Sequence, residues 1–159
     1  MKLEKAIFAC GCFWGAQHQF ERAKGVIRSQ VGYIGGNKEN PTYQEVKAHT
    51  TGHAEATLVE FDAEQTTYTD LCKLFFEIHD PAQTDGQGPD IGPQYRSEIF
   101  YLNEEQKQQA EAGLAQTQAN IDSLQSKKQE LENYLSDLNT QYEDLTNAIS
   151  EPVSYTHLR

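Results

Sequence analysis

Cys12 stands between two glycines and two aromatic residues in Gly11-Cys12-Phe13-Trp14-Gly15, directly after the apolar run Ala6-Ile7-Phe8-Ala9. An amphipathic stretch follows, carrying Phe13, Ala16, Gln17, Phe20 and Ala23. The pattern predicts a strand, a tight turn and a helix, with Cys12 in the turn or at the first helical position. A thiol there meets unpaired backbone N–H groups and the positive end of the helix dipole, both of which favour the nucleophilic thiolate. Flanking glycines let a substrate approach the sulfur closely. Alone, the same pattern fits a thiol packed inside a β–α turn, so the companions of Cys12 decide its role.

Those companions are few. Cys10 lies two residues before Cys12; as a resolving thiol it is a weak candidate, because a Cys-x-Cys disulfide is strained. Cys72 falls beside the apolar face of a later helix and reads as a packed thiol. His49, His53 and His79 lack the paired spacings of zinc sites, so no metal is expected, and His53 and His79 read as loop braces.

The elements that must position Cys12 can be read in order. Lys5–Cys10 is a first strand and Phe13–Arg22 a first helix, ended by Lys24-Gly25. Val26–Tyr33 is a second strand, stopped by Gly35-Gly36-Asn37. Asn40-Pro41-Thr42-Tyr43 reads as loop, and Ala54–Phe61 as a third strand rich in β-formers. Thr67-x-x-Asp70 is a capping box for a second helix with Tyr68, Leu71, Phe75 and Ile78 on one face, closed by His79-Asp80-Pro81. Gln83–Gln94, rich in glycine and proline, is too long for a mere connector and reads as an ordered loop. Arg96–Leu102 is a fourth strand. The order β-α-β-β-α-β predicts a two-layer α+β domain over residues 1–102, a ferredoxin-like sandwich with the split βαβ arrangement.

From Asn103 the character changes. Asn103-Glu104-Glu105-Gln106 is a helix cap with its glutamine three residues on, and no proline follows until Pro152. Positions 114, 117, 121, 124, 128, 131, 135, 138, 142, 145 and 149 step by alternate threes and fours, and all but Thr117 and Lys128 hold Leu, Ile or Tyr. That seam predicts a long coiled-coil-type helix over residues 103–150, with self-association through 114–149. Residues 151–159 fit no element and read as a disordered or foreign tail.

Composition sets outer limits. A net charge of −11 argues against nucleic-acid or anionic-membrane surfaces. No stretch is apolar enough to span a bilayer, and three cysteines without a scaffold pattern suit a reducing cytoplasm.

Six stretches in order resemble the peptide-methionine (S)-S-oxide reductase family: Gly11–Gly15; Val31-Gly32-Tyr33-x-Gly35-Gly36; Asn40–Tyr43; Thr51-Gly52-His53-Ala54-Glu55; His79-Asp80-Pro81; and Gln87-Gly88-x-Asp90-x-Gly92-x-Gln94-Tyr95-Arg96-Ser97. The resemblance covers residues 5 to about 115 and implies reduction of free and peptide-bound methionine sulfoxide, with Cys12 attacking the sulfoxide sulfur and becoming a sulfenic acid. It implies Glu55 as the general acid, Tyr43 and Tyr95 as phenols that help to hold the oxygen, Phe13 and Trp14 as the apolar wall for the methyl group, and Asp90 as an orienting polar residue. No bound cofactor is implied, only an external thiol reductant such as thioredoxin or dithiothreitol. The family's C-terminal segment, with its recycling cysteines, has the heptad helix in its place here. The alternative readings are an impaired reductase domain that serves as a coiled-coil interaction protein, or a thiol peroxidase using Cys10 and Cys12.

Overall fold

In the computed structural model, which describes residues 1–150, the order is β1 (Leu3–Cys10), α1 (Phe13–Glu21), β2 (Val26–Ile34), α2 (Tyr43–Lys47), β3 (Ala54–Asp62), α3 (Tyr68–Glu77), β4 (Gly86–Gln87), β5 (Asp90–Ile91), a 3₁₀ turn (Pro93–Tyr95), β6 (Ser97–Phe100) and α4 (Glu104–Ser150). The expected tail at 151–159 lies outside the described residues. The chain divides into two units, Met1–Ala115 and a second that begins at Gln116. The fold is mixed α and β.

Four strands form an antiparallel sheet in the order β2-β3-β1-β6. Alternation along β1 sends Ala6, Phe8 and Cys10 to one face and Ile7 and Ala9 to the other. The first face carries the main core, where Phe20 of α1 and Tyr68, Leu71, Cys72 and Phe75 of α3 close over Phe8, Val59 and Phe61. Phe8 is its hub: its ring lies 4.8 Å from Phe20, 5.6 Å from Phe75 and 6.1 Å from Tyr68. Each buried aromatic of this kind stabilises the fold by about 1.5–3 kcal/mol. The second face is thinner, with Ala9, Ala54 and Ala56 buried and Ile7, Ile34 and Phe100 packed against them.

Thr67 and Asp70 form the expected capping box at α3, and Oδ1 of Asn103 accepts the Gln106 N–H at the start of α4. Gln106 departs from a plain cap. Its Oε1 accepts the Leu102 N–H and its Nε2 donates to the Lys5 carbonyl, which ties this end of α4 to β1.

Two expectations are corrected. Tyr43 opens a short helix instead of closing a loop, because Thr42 and Glu45 make a second capping box, worth about 1 kcal/mol to a helix. The fourth strand is shorter than expected, since Arg96 caps the 3₁₀ turn and pairing runs only from Ser97 to Phe100. The long loop is ordered, as its length suggested, and holds the β4–β5 pair.

Phe8→Ala should lower unfolding free energy by about 3–5 kcal/mol through cavity formation, read as a fall in the urea midpoint at constant slope.

Candidate active site

Cys12 is the N-cap residue of α1, half-buried, and its carbonyl accepts the N–H groups of Gly15 and Ala16. It sits there because β1 runs straight into a turn at Gly11, whose φ of +97° is a conformation glycine adopts readily. A side chain at Gly11 would also strike Gln87, whose Cβ lies 2.8 Å from where a Cβ would stand. Gln87 is itself pinned, accepting the Asp80 N–H and donating to the Asp80 carbonyl, so the long loop is clamped against the thiol's turn. Gly15 faces open space. The two glycines thus differ: one is required by packing and backbone, the other leaves room.

Glu55 comes from the centre of the sheet. It is only 3 % exposed, and its Oε2 accepts the N–H of Phe13, the residue after Cys12, at 3.1 Å. Burial pushes the Glu55 carboxyl above its usual range, the Phe13 N–H pulls it back, and the nearby Asp90 carboxylate pushes it up again.

Phenols surround this carboxyl. Tyr33 lies directly opposite Glu55 in the β2–β3 ladder. Its hydroxyl is pushed up first by burial and then by Glu55, with Tyr43 and Tyr95 adding smaller effects. Tyr95, half-buried at the end of the 3₁₀ turn, is raised by burial and by Glu55, Asp90 and Tyr43, and lowered by the amide of Gln94. Tyr43 is 48 % exposed. Phe13 stacks obliquely 5.6 Å from Tyr33 and 6.0 Å from Trp14, and Trp14 is 71 % exposed. Phe13, Trp14 and Tyr33 therefore form a run of aromatic rings beside Cys12, with the buried Glu55 carboxyl bonded to the Phe13 N–H.

Of the seven residues singled out from the sequence, Cys12 caps α1, Phe13 and Trp14 lie in it, Glu55 is on β3, Tyr43 on α2, Asp90 on β5 and Tyr95 in the 3₁₀ turn; Phe13 bonds Glu55, and Asp90 and Tyr95 lie within electrostatic reach of the same carboxyl. Sequence reasoning passed over Tyr33 and Gln94. Tyr33 faces Glu55 only through the β2–β3 register, which the long connection through α2 does not fix locally. Gln94 is 4 % exposed, with an Oε1 that has no partner, and nothing in the sequence marks it beyond its position before Tyr95.

The other thiols are buried. Burial pushes Cys10 up to about 12 and Cys72 to about 11. His53 and His79 are fastened to backbone: His53 Nδ1 accepts the Gly36 N–H while Nε2 donates to the Lys38 carbonyl. His79 bridges the Phe75 carbonyl and the Ser97 hydroxyl. Among the described residues no three His, Cys, Asp or Glu side chains group as metal ligands, and no helix is long and apolar enough to cross a membrane.

Comparison with known proteins gives a consistent result. A family profile described as "Peptide methionine sulfoxide reductase" matches residues 4–147, further than the six motifs reach. The chain is 55% identical over 105 residues to the peptide methionine sulfoxide reductase MsrA of Methanosarcina acetivorans, covering 66% of this chain but only 56% of that protein. It is 50% identical over 116 residues to the MsrA of Geobacter sulfurreducens, covering 73% and 72% of the two chains. The solved structure of methionine sulfoxide reductase A of Corynebacterium diphtheriae superposes with a TM-score of 0.73 at 34% identity, over 77% of this chain and 59% of that one.

The raised Glu55 carboxyl sets a sign for stability. A group whose folded pKa lies above its unfolded value stabilises at low pH, and that contribution is lost as pH rises through the folded pKa. Glu55→Gln keeps an acceptor for the Phe13 N–H and removes the buried charge. Its stability relative to the parent should therefore rise from pH 4 to pH 8, as measured by urea unfolding at each pH.

Proposed function

The chain belongs to the peptide methionine sulfoxide reductase family, and from that premise we propose that it reduces methionine (S)-S-oxide, free or in peptides, to methionine. Cys12 is the nucleophile and Glu55 the general acid. The observation that carries this reading is the buried Glu55 carboxyl, raised by desolvation and hydrogen-bonded to the residue next to the half-buried Cys12 thiol.

A sulfoxide sulfur is a poor electrophile until its oxygen takes a proton or a strong hydrogen bond. Glu55 supplies that proton, and the hydroxyls of Tyr43 and Tyr95 share the developing charge on oxygen. Phe13 and Trp14 receive the methyl group through aromatic–sulfur contact worth about 0.3–1.5 kcal/mol. Asp90, beside Glu55, orients the substrate's polar backbone and helps to keep the acid neutral.

The Cys12 sulfur gives an electron pair to the sulfoxide sulfur, and the oxygen with its proton ends on Cys12 as a sulfenic acid while the substrate leaves as a thioether. One external thiol then condenses with the sulfenic acid, releasing water and leaving a mixed disulfide. A second displaces Cys12 and restores the thiol. A thioredoxin-like protein or dithiothreitol serves, and no bound cofactor enters the cycle. Three free thiols suit a reducing cytoplasm as the working compartment.

Two structural readings accompany this one. The strand order β2-β3-β1-β6 corresponds to a ferredoxin-like split βαβ sandwich. The heptad seam of α4 is of coiled-coil type and serves association.

With dithiothreitol and separated methionine sulfoxide epimers, the S epimer should be reduced and the R epimer left. Cys12→Ser should abolish turnover, while Cys10→Ser and Cys72→Ser keep much of it. Glu55→Gln should lower kcat by about 10²–10⁴. It should also remove the fall in rate that the parent shows as pH rises through the Glu55 pKa. Equal reduction of both epimers, or an active Cys12→Ser protein, overturns the proposal.

A further inference from the structure

The seam of α4 fits a second copy of itself, and we infer that two α4 helices wind together in parallel and in register as a two-stranded coiled coil. This rests on the association reading of α4 and adds the partner, the number of strands and the direction.

The seam divides into two sets. In heptad positions, Leu114, Ile121, Lys128, Leu135, Tyr142 and Ile149 are a; Thr117, Leu124, Leu131, Leu138 and Leu145 are d. The apolar members stand in solvent on the single helix: Leu124 is 64 % exposed, Leu131 and Leu145 63 % each, and Ile149 82 %. A strict 3.5-residue repeat keeps such a stripe facing a partner only if the two helices supercoil left-handedly. Leucine at four of the five d positions, with isoleucine at the a positions 121 and 149, favours two strands.

Lys128 fits that number. A lysine at an a position must carry its ammonium out along the flank, which the open sides of a dimer permit. Its Nζ already lies 3.7 Å from Oε1 of Glu132, at the neighbouring e position.

Direction follows from charge. Parallel strands set g against the partner's e five residues on, whereas antiparallel strands set g against g and e against e. Of the g positions 120, 127, 134, 141 and 148, only Lys127 is charged; of the e positions 118, 125, 132, 139 and 146, only Glu132 is. They are five residues apart. Only a parallel, in-register dimer joins each lysine to its partner's glutamate, and it does so twice by symmetry.

The test uses the full chain. Sedimentation equilibrium should give a dimer. With Ile149→Cys in a Cys12→Ser background, mild oxidation should cross-link nearly all of it, because the two cysteines meet in one layer. An antiparallel dimer would hold them about 50 Å apart. Glu132→Lys should weaken dimerisation about tenfold at low salt, and adding Lys127→Glu should restore it. A monomer, a trimer, a dimer that does not cross-link, or a Glu132→Lys protein as tight as the parent overturns the inference. Sulfoxide reduction is assayed separately: an active monomer defeats the association alone, and an inactive dimer defeats the reductase reading alone.

Discussion

A carboxyl placed beneath the first backbone N–H of a helix is the constraint from which the rest of this site follows. The Phe13 amide is one of the donors that the start of α1 leaves without an intrahelical partner, and Glu55 is a buried acceptor without water. Each group answers the other's need. The balance between them sets the chemistry. Moving an ionised carboxylate out of water costs several kcal/mol, whereas one hydrogen bond to a charged group returns about 1.5–3 kcal/mol. Desolvation wins, the Asp90 carboxylate adds to it, and the carboxyl is pushed above its usual range. A second or third donor at Glu55 would work against that rise by favouring the charged form.

Keeping this balance demands rigidity in two directions. Glu55 must stay in register on β3, and α1 must start at one fixed height above the sheet. Register is held by the ladders to β1 and β2 and by the packing of Phe8, Phe20 and Phe75 on the helical face. The start of α1 is held from below by the turn at Gly11 and from the side by Gln87, whose amide is engaged at both ends by the Asp80 backbone. The long loop therefore does more than connect α3 to β6. It supplies Asp90 and leads into Tyr95, and one of its side chains backs the turn that carries the thiol.

The strands and main helices were legible because hydrophobic periodicity and turn residues state them locally. β1 alternates, α3 announces itself with Thr67 and Asp70, and α4 repeats its seam for five heptads. What escaped was local chemistry of equal clarity but smaller extent: the Thr42 and Glu45 box encodes α2 in the same language as the α3 cap, over only five residues. The site was legible in part. Cys12 at a helix start needs only its neighbours, but the burial of Glu55 is a tertiary fact, since a glutamate in a β-rich run is more commonly solvated. Tyr33 needed a pairing register, and Gln94 needed the folded loop.

The three thiols show how burial alone assigns roles to residues of one type. A thiol raised to about 12, as in Cys10, is ionised in roughly one molecule in 10⁵ at neutral pH, and one near 11, as in Cys72, in roughly one in 10⁴. Both are closed off from solvent by the same aromatic core that fixes the sheet. A disulfide between Cys10 and Cys12 would also have to close a strained Cys-x-Cys ring. Stability and selectivity thus have one source. The packing that holds Glu55 in register also keeps Cys10 and Cys72 out of solvent, and it leaves Cys12, at the N-cap of α1, as the least buried of the three thiols.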